Sequence, residues 1–269
     1  MLISKDSVSP LQAATTYAFF FDVDGTLAAI QPHPDEVFIP ATVLNDLQWL
    51  AHHCAGAVAL VSGRPMVELD ALVAPLILPL AGVHGAERRD INGEMTRVAL
   101  EPHTVSVLQR ELEQAIASLP GCMLETKGVA FALHYRQAPQ HQQQIEQLAA
   151  AMVARFPELA QQPGKCVVEL KPQGVNKGAA ITLFMQRPPF AGRIPVFLGD
   201  DLTDEAGFKA VNDIGGLSIK VGTGSSEAQE HLADVNAVYR WLAQARKQLE
   251  SGAEASVRSQ GYESLSSRI

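Results

Sequence analysis

Two acidic clusters in this chain each follow a short apolar run. The first is Asp22-Val23-Asp24-Gly25-Thr26, after Ala18–Phe21. In an extended segment, side chains two apart point the same way, so Asp22 and Asp24 project into one space. Gly25 then lets the chain turn sharply. Crowded carboxylates repel, and a hard cation that takes oxygen ligands, such as Mg²⁺, relieves that repulsion. The second cluster is Gly199-Asp200-Asp201-Leu202-Thr203-Asp204-Glu205, after Pro195–Leu198. Adjacent parallel strands would bring Asp200 beside Asp22. A helix N-terminus favours acids and accounts for Asp204 and Glu205, but less well for Asp200 and Asp201, which precede the helix.

Two further segments suit a phosphate. Ser62-Gly63-Arg64 closes the apolar run Ala57–Val61 and opens a helix. A hydroxyl with free backbone N–H groups at such a point can hold phosphoryl oxygens. No glycine stands two residues before Ser62, so it is not a hydrolase nucleophile elbow. Lys177 begins an apolar helix, where its charge opposes the helix dipole; a bound anion or a carboxylate partner would explain it. Each of these is weak alone, and the ordered set makes the case.

The elements that must position these residues are legible as well. Four continuous apolar runs, Ala18–Phe21, Ala57–Val61, Leu78–Val83 and Pro195–Leu198, suit parallel strands covered on both faces. Helical periodicity falls at Thr42–Cys54, Met66–Val73, Lys177–Met185, Glu205–Asn212 and Val235–Leu249. Alternating strands and helices predict an open α/β sheet, which binds ligands at the carboxyl ends of its strands. The middle of the chain differs. Thr104–Ala117 is helical, Gly121–Thr126 and Val129–Arg136 form a hairpin, Pro139–Phe156 is helical and Lys165–Lys171 is a strand. That pattern predicts a small α+β insertion. The expected division is core over 1–103 and 173–248, cap over 104–172, and a flexible tail over 249–269; the first dozen residues are expected to be a flexible lead-in. Asn92-Gly93 predicts a hairpin turn. His52-His53-Cys54 has no partner cluster and marks the end of a packed helix.

Composition limits the partners. The 269 residues carry a net charge of −8, with 47% hydrophobic and 19% charged residues. Such a chain folds a sizeable core and is poorly suited to nucleic acid or anionic membrane. Three dispersed cysteines, Cys54, Cys122 and Cys166, form no zinc spacing and suit reduced thiols. No apolar run approaches the ~20 residues of a membrane span. The expected protein is cytoplasmic and monomeric, with a small-molecule substrate.

In order and placement, Asp22-x-Asp24-Gly25-Thr26, Ser62, Lys177 and Gly199-Asp200-Asp201-x-x-Asp204 resemble the four-motif signature of the haloacid dehalogenase superfamily. The resemblance extends to the trehalose 6-phosphate phosphatases of enteric bacterial type over roughly residues 17–245. It is carried by Phe20–Leu27, Leu80–Glu87, Phe131–Arg136, Val168–Pro172 and Phe197–Glu205. It implies an α/β fold, a Rossmann-like haloacid dehalogenase core with a parallel sheet and an inserted α+β cap domain. It also implies Mg²⁺-dependent hydrolysis of trehalose 6-phosphate, the last step of trehalose biosynthesis. The alternative is another capped sugar-phosphate phosphatase or a phosphosugar mutase of the same superfamily. A receiver-type signalling domain is disfavoured by the long insertion, and a silent binding module by the intact motifs.

The resemblance also implies roles. Asp22 is the nucleophile, and Asp24 is the general acid and then base, protonated at first while Asp22 is ionised. Mg²⁺ is held by the Asp22 side chain, the Asp24 carbonyl and Asp200. Asp204 supports the metal site, and Asp201 either joins it or supports it. Ser62 and Lys177 hold the phosphoryl oxygens, with Val23, Gly63 and Arg64 lining the same pocket. Thr26 either orients the first loop or caps a turn. In the cap, Glu125, Lys127, His134 and Glu169 contact the sugar. Arg136 and Lys171 share their spacing, but the resemblance says less of them. His84 is either a packed histidine or a contact. Substrate is expected to draw the cap onto the core, with hinges near residues 100–105 and 171–175.

Overall fold

The computed structural model describes residues 11, 16–33, 36–98 and 100–266, with side chains to residue 251. The expected lead-in falls mostly outside these residues. Leu11, within them, is buried and donates its N–H to Gln248 Oε1 at 3.1 Å. The first half of the chain runs β1 (Tyr17–Phe21), α1 (Ala41–His53), β2 (Val58–Val61), α2 (Met66–Val73), β3 (Leu80–Gly82), β4 (Glu87–Arg89) and β5 (Met95–Arg97). Next come α3 (Pro102–Ile116), β6 (Met123–Thr126), β7 (Phe131–His134), α4 (Gln142–Arg155), β8 (Leu159–Gly164) and β9 (Val167–Pro172). The chain then returns through α5 (Lys177–Met185), β10 (Ile194–Gly199), α6 (Glu205–Asp213), β11 (Leu217–Val221), β12 (Glu230–Leu232) and α7 (Val235–Ser266).

Eight strands form one sheet in the order β12-β11-β10-β1-β2-β3-β4-β5. All neighbours from β12 to β3 are parallel, and β4 and β5 add an antiparallel hairpin. Successive aromatics on β1 show why the sheet is covered on both sides. Phe19 points to Trp241 of α7, whereas Phe20 stacks near Phe184 of α5 and Phe190. A period of two on a fully buried strand therefore anchors one helical layer on each face. Phe21 pairs with Leu198 of β10 and Leu60 of β2, so the three strands end at one level. Asp22, Ser62 and Asp200 leave the sheet there together.

The inserted sheet has the order β6-β7-β9-β8 and is wholly antiparallel. One face carries Phe131, Leu133, Val168 and Leu170, which pack with Leu108 and Leu112 of α3 and Ile145 and Ala149 of α4. The opposite face is polar. No helix among the described residues is long and apolar enough to cross a membrane.

The structure departs from expectation at several elements. β8, Leu-Ala-Gln-Gln-Pro-Gly, has no apolar period and carries Pro163, which an edge strand tolerates. β11 places Ser218 and Lys220 at buried positions, so it does not present a continuous apolar run. β4, β5 and β12 are three residues each, too short for a pattern; Asn92-Gly93 does lie between β4 and β5. α7 does not end at Leu249 but runs on to Ser266, through the segment expected to be a flexible tail. That segment holds five serines and two glycines, which favour helix weakly, but no proline to stop it.

Candidate active site

The floor of the site lies at the carboxyl ends of β1 and β10. Carboxyl oxygens of Asp22, Asp200 and Asp204 all lie within 4.8 Å of one another. Lys177, the first residue of α5, enters from the opposite helical layer. Its Nζ donates to Asp22 Oδ1 at 2.7 Å and to Asp204 Oδ1 at 2.6 Å, with all three side chains at most 5% exposed. The unfavourable first-turn lysine is thus explained by two carboxylate partners. Burial alone would lower its pKa, but Asp204 and Asp22 outweigh burial and hold the ammonium charged. Asn176 caps α5 by accepting from the Ala179 N–H at 2.8 Å, which fixes where Lys177 starts.

Asp204 is fully committed to support. Its Oδ2 accepts the N–H groups of Asp200 and Asp201, each at 2.9 Å, while Oδ1 takes Lys177. Asp201 does not join the cluster. Its carboxylate accepts from the Leu202 N–H at 2.7 Å and caps the single turn Leu202–Asp204. Two glycines make the crowding possible. A Cβ on Gly25, whose φ is +80°, would meet Asp200 Oδ2 at 2.1 Å, and one on Gly199 would meet Asp204 Cγ at 2.3 Å. Lys220 of β11, which sequence reading did not select, donates to the Asp200 carbonyl.

Burial, with like charge from Asp204 and Asp200 opposed by Lys177, pushes the Asp22 carboxyl well up. Asp200 is pushed up to about 7, by burial and then by Asp204. These pushes are what a set of hard oxygen donors shows when cationic charge at the cluster is insufficient, and a divalent cation would reverse them. Asp22 and Asp200 therefore fit a metal such as Mg²⁺, with Asp204 holding the loop behind them.

Asp24 has a partner that its local sequence does not suggest. Both its oxygens are gripped by Arg64, from Nε at 2.6 Å and Nη2 at 2.8 Å. Arg64 also binds Glu68 of α2 at 2.9 Å. Sequence reading placed Arg64 on phosphate, whereas its guanidinium here holds Asp24 in a bidentate pair. The spacing of Ser62-Gly63-Arg64 gave no sign of this partner, 40 residues away in sequence. Ser62 is buried, and its Oγ accepts from the Arg64 N–H at 3.2 Å. Gly63 lies against the His84 ring. The Val23 side chain belongs to the core, so Val23 can meet a ligand only through its backbone; its carbonyl already accepts from Thr26, Leu27 and Ala28. Thr26 Oγ1 is buried with no hydrogen-bond partner among the described residues, so its side chain caps nothing.

The polar face of the inserted sheet forms the opposite wall. Register sets Glu125, Ala132, Glu169 and Gln162 in one row across its four strands. Glu169 is the hub: Oε1 takes Lys127 Nζ at 2.8 Å and Oε2 takes His84 Nε2 at 2.5 Å. Burial would raise the Glu169 carboxyl, but His84 and Lys127 together hold it well below the usual range. A carboxylate only accepts, so His84 carries its proton on Nε2. Burial lowers the His84 pKa despite Glu169, and Nδ1 has no partner among the described residues. His84 is thus a contact between core and cap, in a strained backbone with φ +56°. Glu125 binds His134 at 2.8 Å and lies 3.8 Å from Lys127. Arg136 lies beyond the end of β7, exposed, and reaches only the Lys165 carbonyl at 3.4 Å. Lys171 shares the Glu169 face and is 3% exposed.

A cleft of about 390 Å³ opens between core and cap, lined by Met66, Glu87, Arg89 and Met95 on one side and Lys127 and Gly128 on the other. It reaches the polar face at Lys127 and does not include Asp22, which the closed assembly buries.

Comparison with known proteins agrees with this geometry. The family model described as trehalose-phosphatase matches residues 20–243. Trehalose-6-phosphate phosphatase of Escherichia coli K12 is 54% identical over 258 residues, covering 96% of this chain and 97% of that protein. A probable trehalose-phosphate phosphatase of Sinorhizobium fredii is 44% identical, covering 82% and 83%. Among solved structures, the C-terminal domain of the Candida albicans trehalose-6-phosphate phosphatase superposes with a TM-score of 0.76 at 22% identity, covering 87% of this chain and 92% of that one, and shares the fold. A trehalose-6-phosphate phosphatase related protein gives 0.71 at 28% identity, covering 86% and 97%. With a catalytic floor, a polar cap face and a family match along nearly the whole described chain, the protein is a phosphatase and belongs to the trehalose-phosphatase family.

Proposed function

We propose that the chain hydrolyses trehalose 6-phosphate to trehalose and phosphate, with Mg²⁺ as cofactor and Asp22 as nucleophile. The observation that carries this reading is the Asp22–Lys177–Asp204–Asp200 constellation at adjacent parallel strand ends. Asp22 and Asp200, with the Asp24 carbonyl, would hold the metal, and Mg²⁺ when bound offsets charge on Asp22 and on the phosphoryl oxygens. Asp22 attacks phosphorus, forming a P–O bond as the P–O bond to the sugar breaks. Asp24 supplies the proton that the departing sugar oxygen takes up. Water then attacks phosphorus, gives its proton to Asp24 and releases Asp22 with phosphate. Lys177 and Ser62 hold the peripheral oxygens, where charge spreads in the transition state. This sequence requires Asp24 to exchange Arg64 for substrate, with the anionic phosphate competing for the guanidinium. Glu125, Lys127, His134 and Glu169 offer acceptors and donors to sugar hydroxyls.

Phosphate release with Mg²⁺ from trehalose 6-phosphate, sucrose 6-phosphate and glucose 6-phosphate tests the reading. Turnover of the trehalose ester far above the others is expected, as is its loss in chelator. Equal hydrolysis of the three overturns the substrate, and no release from any overturns the chemistry.

A further inference from the structure

Lys171 is a buried cation with no carboxylate in direct contact among the described residues. It lies on β9, on the face turned to the core, and is 3% exposed. Its hydrogen-bond partner is the neutral amide oxygen Gln162 Oε1, and no carboxylate lies within 4.0 Å of its ammonium among the described residues. The other lysines that meet at this interface are differently placed. Lys177 has two carboxylates, and Lys127 has Glu169 at 2.8 Å and Glu125 at 3.8 Å. Taking an ammonium out of water unpaired is costly, and a protein retains one when something compensates it. Burial lowers the Lys171 pKa to about 8; Glu169 on the same face opposes that shift, and Lys177 adds to it.

Its location indicates what the compensating group is. Lys171 lies within electrostatic range of both Lys177 and His84. The neighbouring strand β8 packs against the turn Leu202–Asp204, which carries part of the acidic cluster. Lys171 thus faces the core on the side of Lys177, whose ammonium binds Asp22. We propose that Lys171 is a phosphate ligand supplied by the cap, which engages the substrate's phosphoryl group and couples docking of the cap to the charge of that group. The proposal rests on the reading that phosphorus is transferred at Asp22. A phosphate monoester dianion supplies an anion in direct contact, whereas the uncharged sugar does not. Glu169 and its partners read hydroxyls on the same face, and Lys171 reads charge two residues further along the strand.

The test separates the two halves of the product. Titration calorimetry of the full Mg²⁺-loaded chain with inorganic phosphate, and separately with trehalose, is carried out on wild type, Lys171→Met and Lys171→Arg. Methionine keeps the stem's length and removes an uncompensated charge, so the thermal midpoint is expected to hold or rise. Phosphate affinity is expected to fall about 10- to 100-fold in Lys171→Met, the worth of one charge-assisted contact. It should stay within about 3-fold in Lys171→Arg, and trehalose affinity should barely change in either. Unchanged phosphate affinity in Lys171→Met, or an equal loss for trehalose, overturns the proposal, as does a loss in Lys171→Arg matching that in Lys171→Met. Failure of wild type to bind phosphate at all would strike the catalytic reading instead.

Discussion

The core and the cap build their charged surfaces by different means. In the core, main-chain geometry does most of the positioning. Parallel strands ending at one level deliver Asp22, Ser62 and Asp200, and glycines 25 and 199 let the acids approach. Asp204, Lys177 and Asp22 are locked by partners from the same domain, as Asp204 is by Lys177 and two N–H groups. In the cap, side chains stand on one face of a regular antiparallel sheet and pair across strands. That face is completed only by the other domain, through His84. The core's acidic groups are thus fixed largely by the backbone, while the cap's polar groups are fixed by one another.

The sharpest way to break this division is to remove one group from each side. Asp22→Asn is expected to cut kcat by about 10⁴-fold or more while the circular dichroism spectrum is retained. Appreciable residual turnover would move the nucleophile elsewhere. Glu169→Gln should lower kcat/KM for trehalose 6-phosphate roughly 10- to 100-fold, with much less effect on a small phosphomonoester such as p-nitrophenyl phosphate. Equal losses on both substrates would erase the distinction between reaction and recognition.

The two regions also differ in how stability responds to pH. Asp200 is raised to about 7 when folded, so the folded state holds its proton more tightly than the unfolded chain. Its contribution is present below the unfolded pKa and is lost as pH rises through 7. Glu169 is depressed, so its contribution is present above the unfolded pKa and is lost only as pH falls through its low folded value. In chelator, urea unfolding should show stability falling by about 2 kcal/mol or more between pH 5 and 8, and Asp200→Asn should reduce that fall, leaving what the raised Asp22 carboxyl contributes. A limb unchanged in Asp200→Asn would place the titrating groups elsewhere. The smallest effect separates Asp201 from its neighbours: Asp201→Ala should cost about 1 kcal/mol as a lost cap, with turnover within about 3-fold of wild type. A large loss of activity would return Asp201 to the acidic cluster.

Legibility in the sequence followed the same division. The strand-end acids were readable because a buried strand, an i/i+2 pair and a glycine are all local signals. The convergence of Asp22 with Asp200 needed only the rule that buried strands of this kind run side by side. The Arg64 grip on Asp24 was not readable, because it joins two loops 40 residues apart through a side chain whose local context suggests phosphate. In the cap, spacing placed Glu125 with Lys127 and Glu169 with Lys171 on shared faces, but gave no indication that His84 would close the network from the core. Arg136 had the same spacing from His134, yet its strand ends first. β8 and β11 escaped because one is a polar edge and the other buries a serine and a lysine.

The inserted sheet keeps its apolar packing on the reverse side, where Phe131, Leu133, Val168 and Leu170 meet two helices. Its obverse is polar and owes its burial to the core, through contacts such as Glu169–His84. On the proposed function, exchanging residues there would alter what the enzyme accepts more than it disturbs the module that presents them. An architecture of this kind lets one unchanging reaction centre be fitted to new esters through a handful of replacements on a single panel.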